Sequence, residues 1–408
     1  MKLLVVSNFY PPARAGGYTQ LCIEVAEALK KRGHEITVLT SNHRIETVTR
    51  PDPAVRRVLH LEGDLNYYRP LEFFLRWRAN RRANERWVRE VVRETAPDLV
   101  FVWGMWALSR AVPALAEALL PGRVVYYISD YWPAAEDPHE AFWRRPARRP
   151  WARPLKALFA GPAKAVSGAG PGLPLRFEHP LIVSRRVRDL LCEGGVPLQD
   201  PLVVHCGTDL TRFRGIEPAR PGSGSLKLLY AGQMVEDKGV HTVIEALGRL
   251  VADGYGDRVA LTLIGAGHPA YEARIRDLVA RLGLEPYIVH ADPVPREAFP
   301  AFLTRYDALL FPSIYEEPFA RVVQEAMAAG LVVIGTTTGG TPEILEDGVN
   351  GLAFAPEDAA GLAGAVRKLL ETPGLAKELA AAGRRTVFER FDQERMVDAV
   401  EAYLEGVL

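Results

Sequence analysis

Three cysteines in 408 residues, Cys22, Cys192 and Cys206, are too few and too scattered for a disulfide framework, and none has metal-ligand spacing. Such usage fits a reduced compartment, by default the cytoplasm. The nine histidines show no metal spacing either, and His34 and His205 read as loop residues packed against strands. No Asp-x-Asp follows any predicted strand, so neither a bound divalent metal nor a cofactor is expected. No strongly apolar run reaches the roughly 20 residues that a membrane-spanning helix needs. The opening "MKLLVVSNFYPP" has too short an apolar stretch for a signal-peptide core and reads as a first strand. Excess charge is missing too: 50 basic residues balance 50 acidic ones. That removes the general reason to expect nucleic-acid binding and makes any charge argument local.

What is present is a chain long enough for two domains, with an ordinary 48% apolar content. "KLLVVS" (2–7) is a short apolar run, Gly16 and Gly17 follow, and Leu21, Val25, Ala28 and Leu29 then recur at helical spacing. Lys30, Lys31 and Arg32 before Gly33 mark a helix end, and "HEITVLTS" (34–41) is a second strand. That is a βαβ unit of a parallel sheet. The alternation resumes with a helix near 83–94, a strand at 98–103, a helix near 108–119, a strand at 123–129 and a helix at 184–193.

The Pro-, Gly- and Ser-rich stretch 205–225 reads as a linker. Strands are predicted beyond it at 226–232, 259–267, 287–291, 307–313 and 331–336, with helices at 239–252, 270–282, 296–304 and 318–329. Residues 1–205 and 206–391 are therefore two open α/β domains. A last helix over 392–408 carries Met396, Ala399, Val400, Tyr403 and Val407 on one stripe.

Residues 132–180 break the pattern. Arg144, Arg145, Arg148, Arg149, Arg153 and Lys156 mix there with Phe142, Trp143, Trp151, Leu155, Leu158 and Phe159, and prolines at 146, 150 and 154 argue against a long helix. The stretch 142–159 is either a solvated loop or an interfacial anchor, since clustered cations and aromatic rings both favour an anionic headgroup zone.

The segment "EEPFARVVQEAMAAG" (316–330) sets Glu317 and Glu325 eight positions apart. Pro318 suits a first helical position, which would put Glu317 at the cap and Glu325 two turns inside, roughly 12 Å along the axis. That is wider than the carboxylate pairs that flank a glycosidic bond in hydrolases. It suits a ligand reaching from a sugar hydroxyl to a ribose diol, with a diphosphate at the positive helix end. A plain cap and a solvated helix residue would give the same spacing. Lys238 beside Gly239 reads, taken alone, as a solvated surface charge. "GAG" at 265–267 lacks the rest of a dinucleotide fingerprint and reads as a turn near a base-binding side.

The run "FPSIYEEPFARVVQEAMAAGLVVIGTTTGGTPEIL" (311–345) resembles the donor-binding segment of the retaining glycosyltransferases of family 4. "GGYTQLCIEVAEALKKRGHEITVLT", "LIVSRRVRDLL", "GTDLTRF" and "LYAGQMVEDKGV" are similar to that family as well, leaving roughly 45–95 and 132–175 outside the likeness. The resemblance implies the GT-B architecture, two Rossmann-like domains with the active site in the interdomain cleft and a last helix returning to the first domain. It implies a hexose moved from a nucleotide-diphosphate sugar to a lipid-linked or small-molecule acceptor by front-face attack, and a peripheral membrane contact.

By position, the resemblance assigns Glu325 to the donor ribose and Glu317 to the hexose. The Phe319 and Ala320 amides fall to sugar and phosphates, and Lys238 to the diphosphate. Gly16 and Gly17 allow close backbone approach on the acceptor and phosphate side. Two departures stand out. Gln233 occupies the place of a usual Arg, so Arg14 or Arg321 would have to supply the second phosphate cation. A usual histidine is replaced by Ser129 and Asp130, which makes Asp130 the candidate acceptor-side polar group, or simply a turn former before Trp132 and Pro133. A 2-epimerase-like isomerase on the same fold and a nucleotide-sugar-binding protein without catalysis are the alternatives.

Overall fold

The structure is a computed structural model and describes residues 1–13, 16–62, 70–135, 142–147, 151, 153–167, 175–217 and 225–408. The chain divides into two units. The first comprises Met1–Val183, Val187–Val204 and Val397–Leu408, and the second Ser184–Arg186 and His205–Met396.

In the first unit seven strands form one parallel sheet: β1 Lys2–Ser7, β2 Glu35–Ser41, β3 Val55–Leu59, β4 Leu99–Val102, β5 Val124–Ile128, β6 His179–Ile182 and β7 Leu202–Val203. Their order is β3-β2-β1-β4-β5-β6-β7, so the direction of winding reverses between β1 and β4. Every residue of β4 and β5 is buried, as expected of central parallel strands covered on both faces, which read as unbroken apolar runs. The helix Gly17–Lys31 returns the chain from β1 to β2 and buries Leu21, Cys22, Val25, Ala26 and Leu29.

The second unit has six parallel strands: β8 Leu226–Ala231, β9 Val259–Ile264, β10 Ile288–Ala291, β11 Ala308–Phe311, β12 Val332–Thr336 and β13 Leu352–Phe354. The order β10-β9-β8-β11-β12-β13 reverses between β8 and β11. Its core joins Leu228, Leu261, Leu310 and Ile334 of the sheet to Val243, Leu247, Ile275 and Leu362 of the covering helices. The expected α/β class, with two parallel-sheet units, is therefore what the chain forms.

Several elements depart from expectation. β3 lies at a sheet edge, paired among the described residues only to β2, and its two arginines, which an edge tolerates, hide it in the sequence. The helix before β4 runs from Pro70 to Thr95, well upstream of 83. A 15-residue helix, Arg153–Ser167, occupies the segment whose prolines argued against one. Pro154 stands in its first turn, where a missing N–H costs nothing. In the last helix, Gln393–Val407, the buried stripe is Met396, Val397, Val400 and Leu404, whereas Ala399 is exposed. In the first unit Arg32 holds that helix through Glu401 at 2.6 Å and Asp398 at 2.8 Å, and His34 Nε2 meets Glu401 at 2.5 Å. His34 is therefore an ion-pair partner as well as a packed residue.

Candidate functional site

In open parallel sheets ligands bind beyond the carboxyl ends of the strands, where the strand order reverses, because the loops there diverge and leave a crevice. In the second unit that place lies beyond β8 and β11. The loop after β8 ends in a short 3-10 turn, Glu236–Lys238, closed by Gly239 at φ +66°. A Cβ on Gly239 would stand 2.1 Å from the Pro312 carbonyl oxygen, so glycine alone lets the two loops approach. They are laced together: the Ile314 and Tyr315 amides donate to the Asp237 carbonyl at 2.9 and 3.0 Å.

This lacing brings Lys238 to Glu317, the two side chains forming an ion pair in which Glu317 also accepts from Ser313 Oγ at 2.7 Å. The Lys238 side chain is 26% exposed and that of Glu317 13%. Partial removal from water strengthens the attraction between the two charges at a cost in desolvation, and makes loss of either partner costly. The Tyr315 ring lies 5.6 Å from the Lys238 ammonium.

Behind this loop begins the helix Arg321–Ala329, with Ala320 as its cap residue. Pro318 is therefore outside the helix, Glu317 is not its cap, and Glu325 lies one turn inside rather than two. The chain between Ser313 and Ala320 is irregular because its backbone groups are satisfied from elsewhere. Gly340 N–H donates to the Glu317 carbonyl at 2.7 Å, and Gly339 N–H to Glu316 Oε2 at 2.8 Å. Gly339, at φ +58°, has the Glu317 carbonyl oxygen 2.1 Å from where its Cβ would be. The Gly-Gly pair is the floor on which the acidic loop rests.

Two further carboxylates fix this region. Glu316 receives the Arg186 guanidinium through both oxygens, at 3.0 and 3.2 Å, and Arg186 holds its carboxyl below the usual range against the effect of burial. Glu343 accepts the Arg185 and Arg186 amides at 3.1 and 3.0 Å and His205 Nε2 at 2.8 Å. Burial alone would push the Glu343 carboxyl up, but His205 and the two amides together hold it below its ordinary value. The His205 ring stacks on Phe319 at 4.9 Å, so it does more than pack against a strand.

In the first unit the strand order reverses between β1 and β4. Asn8, just past β1, donates its amide N–H to the Gly104 carbonyl at 2.8 Å, and its side chain donates to the Trp106 carbonyl at 2.8 Å and to Tyr18 Oη at 3.1 Å. Gly104 leaves no room for a side chain, since a Cβ would meet the Tyr18 ring at 2.3 Å. Past β5, Asp130 is 7% exposed and accepts the Trp132 amide through Oδ1 at 2.8 Å, while its Oδ2 and Asn8 Oδ1 are buried without a hydrogen-bond partner among the described residues. Burial pushes the Asp130 carboxyl up to about 6, with Trp132 and Trp106 acting the other way. Burial likewise pushes the Tyr18 hydroxyl up to about 12, with the Asp130 charge adding to it against the hydrogen bond from Asn8.

Of the residues singled out in the sequence, Lys238, Glu317, Phe319, Ala320, Arg321 and Glu325 gather at the second unit's reversal point. Gln233 is nearby in the chain with an exposed side chain, its carbonyl accepting from Tyr230 Oη at 2.7 Å. The 265–267 turn lies against the same loop, Met234 N–H donating to Ala266 O at 3.1 Å. Gly16, at φ +80°, and Gly17 open the first helix and are exposed, while Ser129 adjoins Asp130. Arg14, Arg148, Arg149 and Pro150 lie outside the described residues. Asn8, Tyr18, Arg186, Ser313, Glu316 and Glu343 were not anticipated. The Glu316–Glu317 doublet and the Pro-Glu after Gly339–Gly340 were the available signals. Among the described residues no three metal-ligating side chains cluster.

Comparison with known proteins bears on this arrangement. The family described as "Glycosyl transferases group 1" matches residues 216–386, and "Glycosyltransferase Family 4" matches residues 15–212. A glycogen synthase of Mycobacterium tuberculosis is 34% identical over 215 residues, 52% of this chain and 50% of the relative. A putative colanic acid biosynthesis glycosyltransferase, WcaL of Salmonella typhimurium, is 33% identical over 174 residues, 41% and 42% of the two chains. The chain thus spans about half the length of the curated relatives it matches. Among solved structures, sucrose-phosphate synthase from Thermosynechococcus elongatus superposes with a TM-score of 0.72 at 19% identity, over 100% of this chain and 98% of that one. Anabaena Alr3699/HepE in complex with UDP gives 0.70 at 18%, over 100% of both chains.

Proposed function

This chain belongs to the family 4, group 1 glycosyltransferases and has their GT-B fold, and from that premise we propose that it is a retaining hexosyltransferase using a nucleotide-diphosphate sugar. The observation that carries the reading is the Lys238–Glu317 pair, set at a strand-order reversal beside the amino end of the helix Arg321–Ala329. An ammonium and a helix amino terminus suit a departing diphosphate, and a partly buried carboxylate suits sugar hydroxyls. In this reading Glu325 takes the ribose, Glu317 the hexose, and Lys238 with the amides of Phe319 and Ala320 receives charge developing on the leaving group. The contribution is positioning and fixed electrostatics, with attack on the face the phosphate leaves and no protein nucleophile. Arg321 and Arg14 are assigned to the phosphates in place of the Arg that Gln233 replaces. Gly16, Gly17, Ser129 and Asp130 are assigned to the acceptor and phosphate side, and turnover is expected without an added metal.

An acceptor at an anionic lipid surface, with the enzyme at the cytoplasmic face of a membrane, fits a second observation. Trp151, Leu158 and Phe159 are 66%, 70% and 55% exposed, among exposed Arg144, Arg145 and Arg153. Aromatic rings and cations together favour the headgroup zone. No described helix is long and apolar enough to cross a membrane.

The test is a heat-stability screen with UDP-, GDP- and ADP-sugars, followed by assay of nucleoside diphosphate release with candidate acceptors. A stabilising donor whose diphosphate is released only with acceptor supports the proposal. Stabilisation without release on any acceptor favours a binding protein, and conversion of UDP-GlcNAc to ManNAc without acceptor favours the isomerase.

A further inference from the structure

The Lys238–Glu317 pair has a consequence for which ligands the site prefers, and the inference rests on the donor reading above. The same Glu317 carboxylate that the reading gives to the hexose is held by Lys238, the group the reading gives to the diphosphate. Both cannot be satisfied independently. We propose that Glu317 is a specificity-determining residue that makes the site favour a nucleotide sugar over the free nucleoside diphosphate, by holding Lys238 until sugar hydroxyls are present to take its place.

The preference comes from which group is left unpaired. When a diphosphate draws the ammonium away, Glu317 keeps, among the described residues, only the Ser313 hydroxyl, which donates to Oε1 at 2.7 Å. Its side chain is 13% exposed, so water replaces the lost partner poorly, and a carboxylate short of donors in such a place is costly. A free nucleoside diphosphate, its ribose hydroxyls being assigned to Glu325, brings no donor to Glu317. A nucleotide sugar brings hexose hydroxyls, which donate to the vacated carboxylate and offset that cost. The loop cannot simply swing Glu317 into solvent, because its backbone is pinned by the Gly340 amide on the Glu317 carbonyl at 2.7 Å and by Glu316, held by Arg186 and the Gly339 amide. Glu317 would therefore weaken product binding relative to donor binding and ease release of the spent nucleotide.

A double-mutant cycle read by calorimetric titration tests this on the full chain. UDP, GDP and ADP are titrated against wild type, Glu317→Gln, Lys238→Met and the double variant, followed by the sugar nucleotide that best stabilises the wild type. Glu317→Gln is isosteric, and melting curves verify that each variant folds. The expected result is that Glu317→Gln tightens the preferred nucleoside diphosphate about tenfold, equivalent to about 1.4 kcal/mol, without tightening the nucleotide sugar. In the Lys238→Met background the same substitution leaves diphosphate affinity unchanged. Diphosphate binding that Lys238→Met weakens but Glu317→Gln leaves equal or weaker would overturn the specificity role while the donor site stands. If neither substitution changes affinity for a diphosphate that binds, the donor assignment falls and this inference with it.

Discussion

Replacing Asp130 by Asn removes a charge from a buried position of the first unit. Its carboxyl moves from 3.8 to about 6, chiefly through burial, which places the ionised form about 3 kcal/mol higher than in the unfolded chain. The folded state holds the proton more tightly, so the stability that goes with the neutral acid is complete below about 3.8 and is lost as pH rises through about 6. Asn keeps an oxygen for the Trp132 amide and carries no charge at any pH. The variant should therefore exceed wild type in unfolding free energy by up to about 3 kcal/mol at pH 8, with the gain shrinking to nothing near pH 4. For a unit of roughly 200 residues that corresponds to a rise of about 6–12 °C in the midpoint of its melting transition at pH 8. Urea denaturation of both proteins at pH 4, 6 and 8 reads the difference. A variant that loses stability by the same amount at all three would refute the reasoning, because it would mean that a hydrogen bond, rather than a desolvated charge, dominates at this position. If Asp130 also serves the acceptor in its ionised form, the rise in turnover through about pH 6 should disappear in the variant.

Glu325→Ala should weaken donor binding at least tenfold, whereas Lys238→Ala should lower turnover more than affinity; steady-state kinetics with a defined donor separate the two, and unchanged constants in both would dismiss the assignment. Gly339→Ala forces a side chain onto the Glu317 backbone at positive φ, at a cost of about 1–3 kcal/mol. It should raise donor KM with little change in far-ultraviolet dichroism, and a normal KM would show that the Gly-Gly floor does not shape the loop. Co-sedimentation with vesicles rich in anionic lipid should be strong at low salt, weaker at high salt and reduced by replacing Trp151, Leu158 and Phe159 with Ser. Absence of binding at low salt would remove the membrane reading.

The sequence was most readable where both faces of a strand are buried. β1, β4, β5 and β8 appear as apolar runs because helices cover them on either side, and their alternation with helices was enough for the fold class. β3 and β13 escaped notice for opposite reasons: one carries arginines at an edge, and the other has only three residues. The helix Arg153–Ser167 is hidden because Pro154, a breaker in a helix interior, stands in its first turn. At the candidate site, the acids, the lysine and the glycine pair were visible as residue types, but their pairing was not. Glu317 meets Lys238 only because β8 and β11 are neighbours in the sheet, and Glu316 meets Arg186 across 130 residues of sequence. Partners so far apart are fixed by strand order and register, which local periodicity does not carry. The placement of Glu317 outside the helix likewise depends on Gly339 and Gly340, whose amides satisfy a loop that Pro318 seemed to make helical.

The central claim is that a sugar nucleotide binds at the strand-order reversal of the second unit. Crystals soaked with the donor selected by the stability screen test it most directly. The expected density is a diphosphate against Lys238 and the amino end of the helix Arg321–Ala329, the ribose at Glu325 and the hexose at Glu317. Density for the ligand at any other place, with these residues unchanged and untouched, would contradict it.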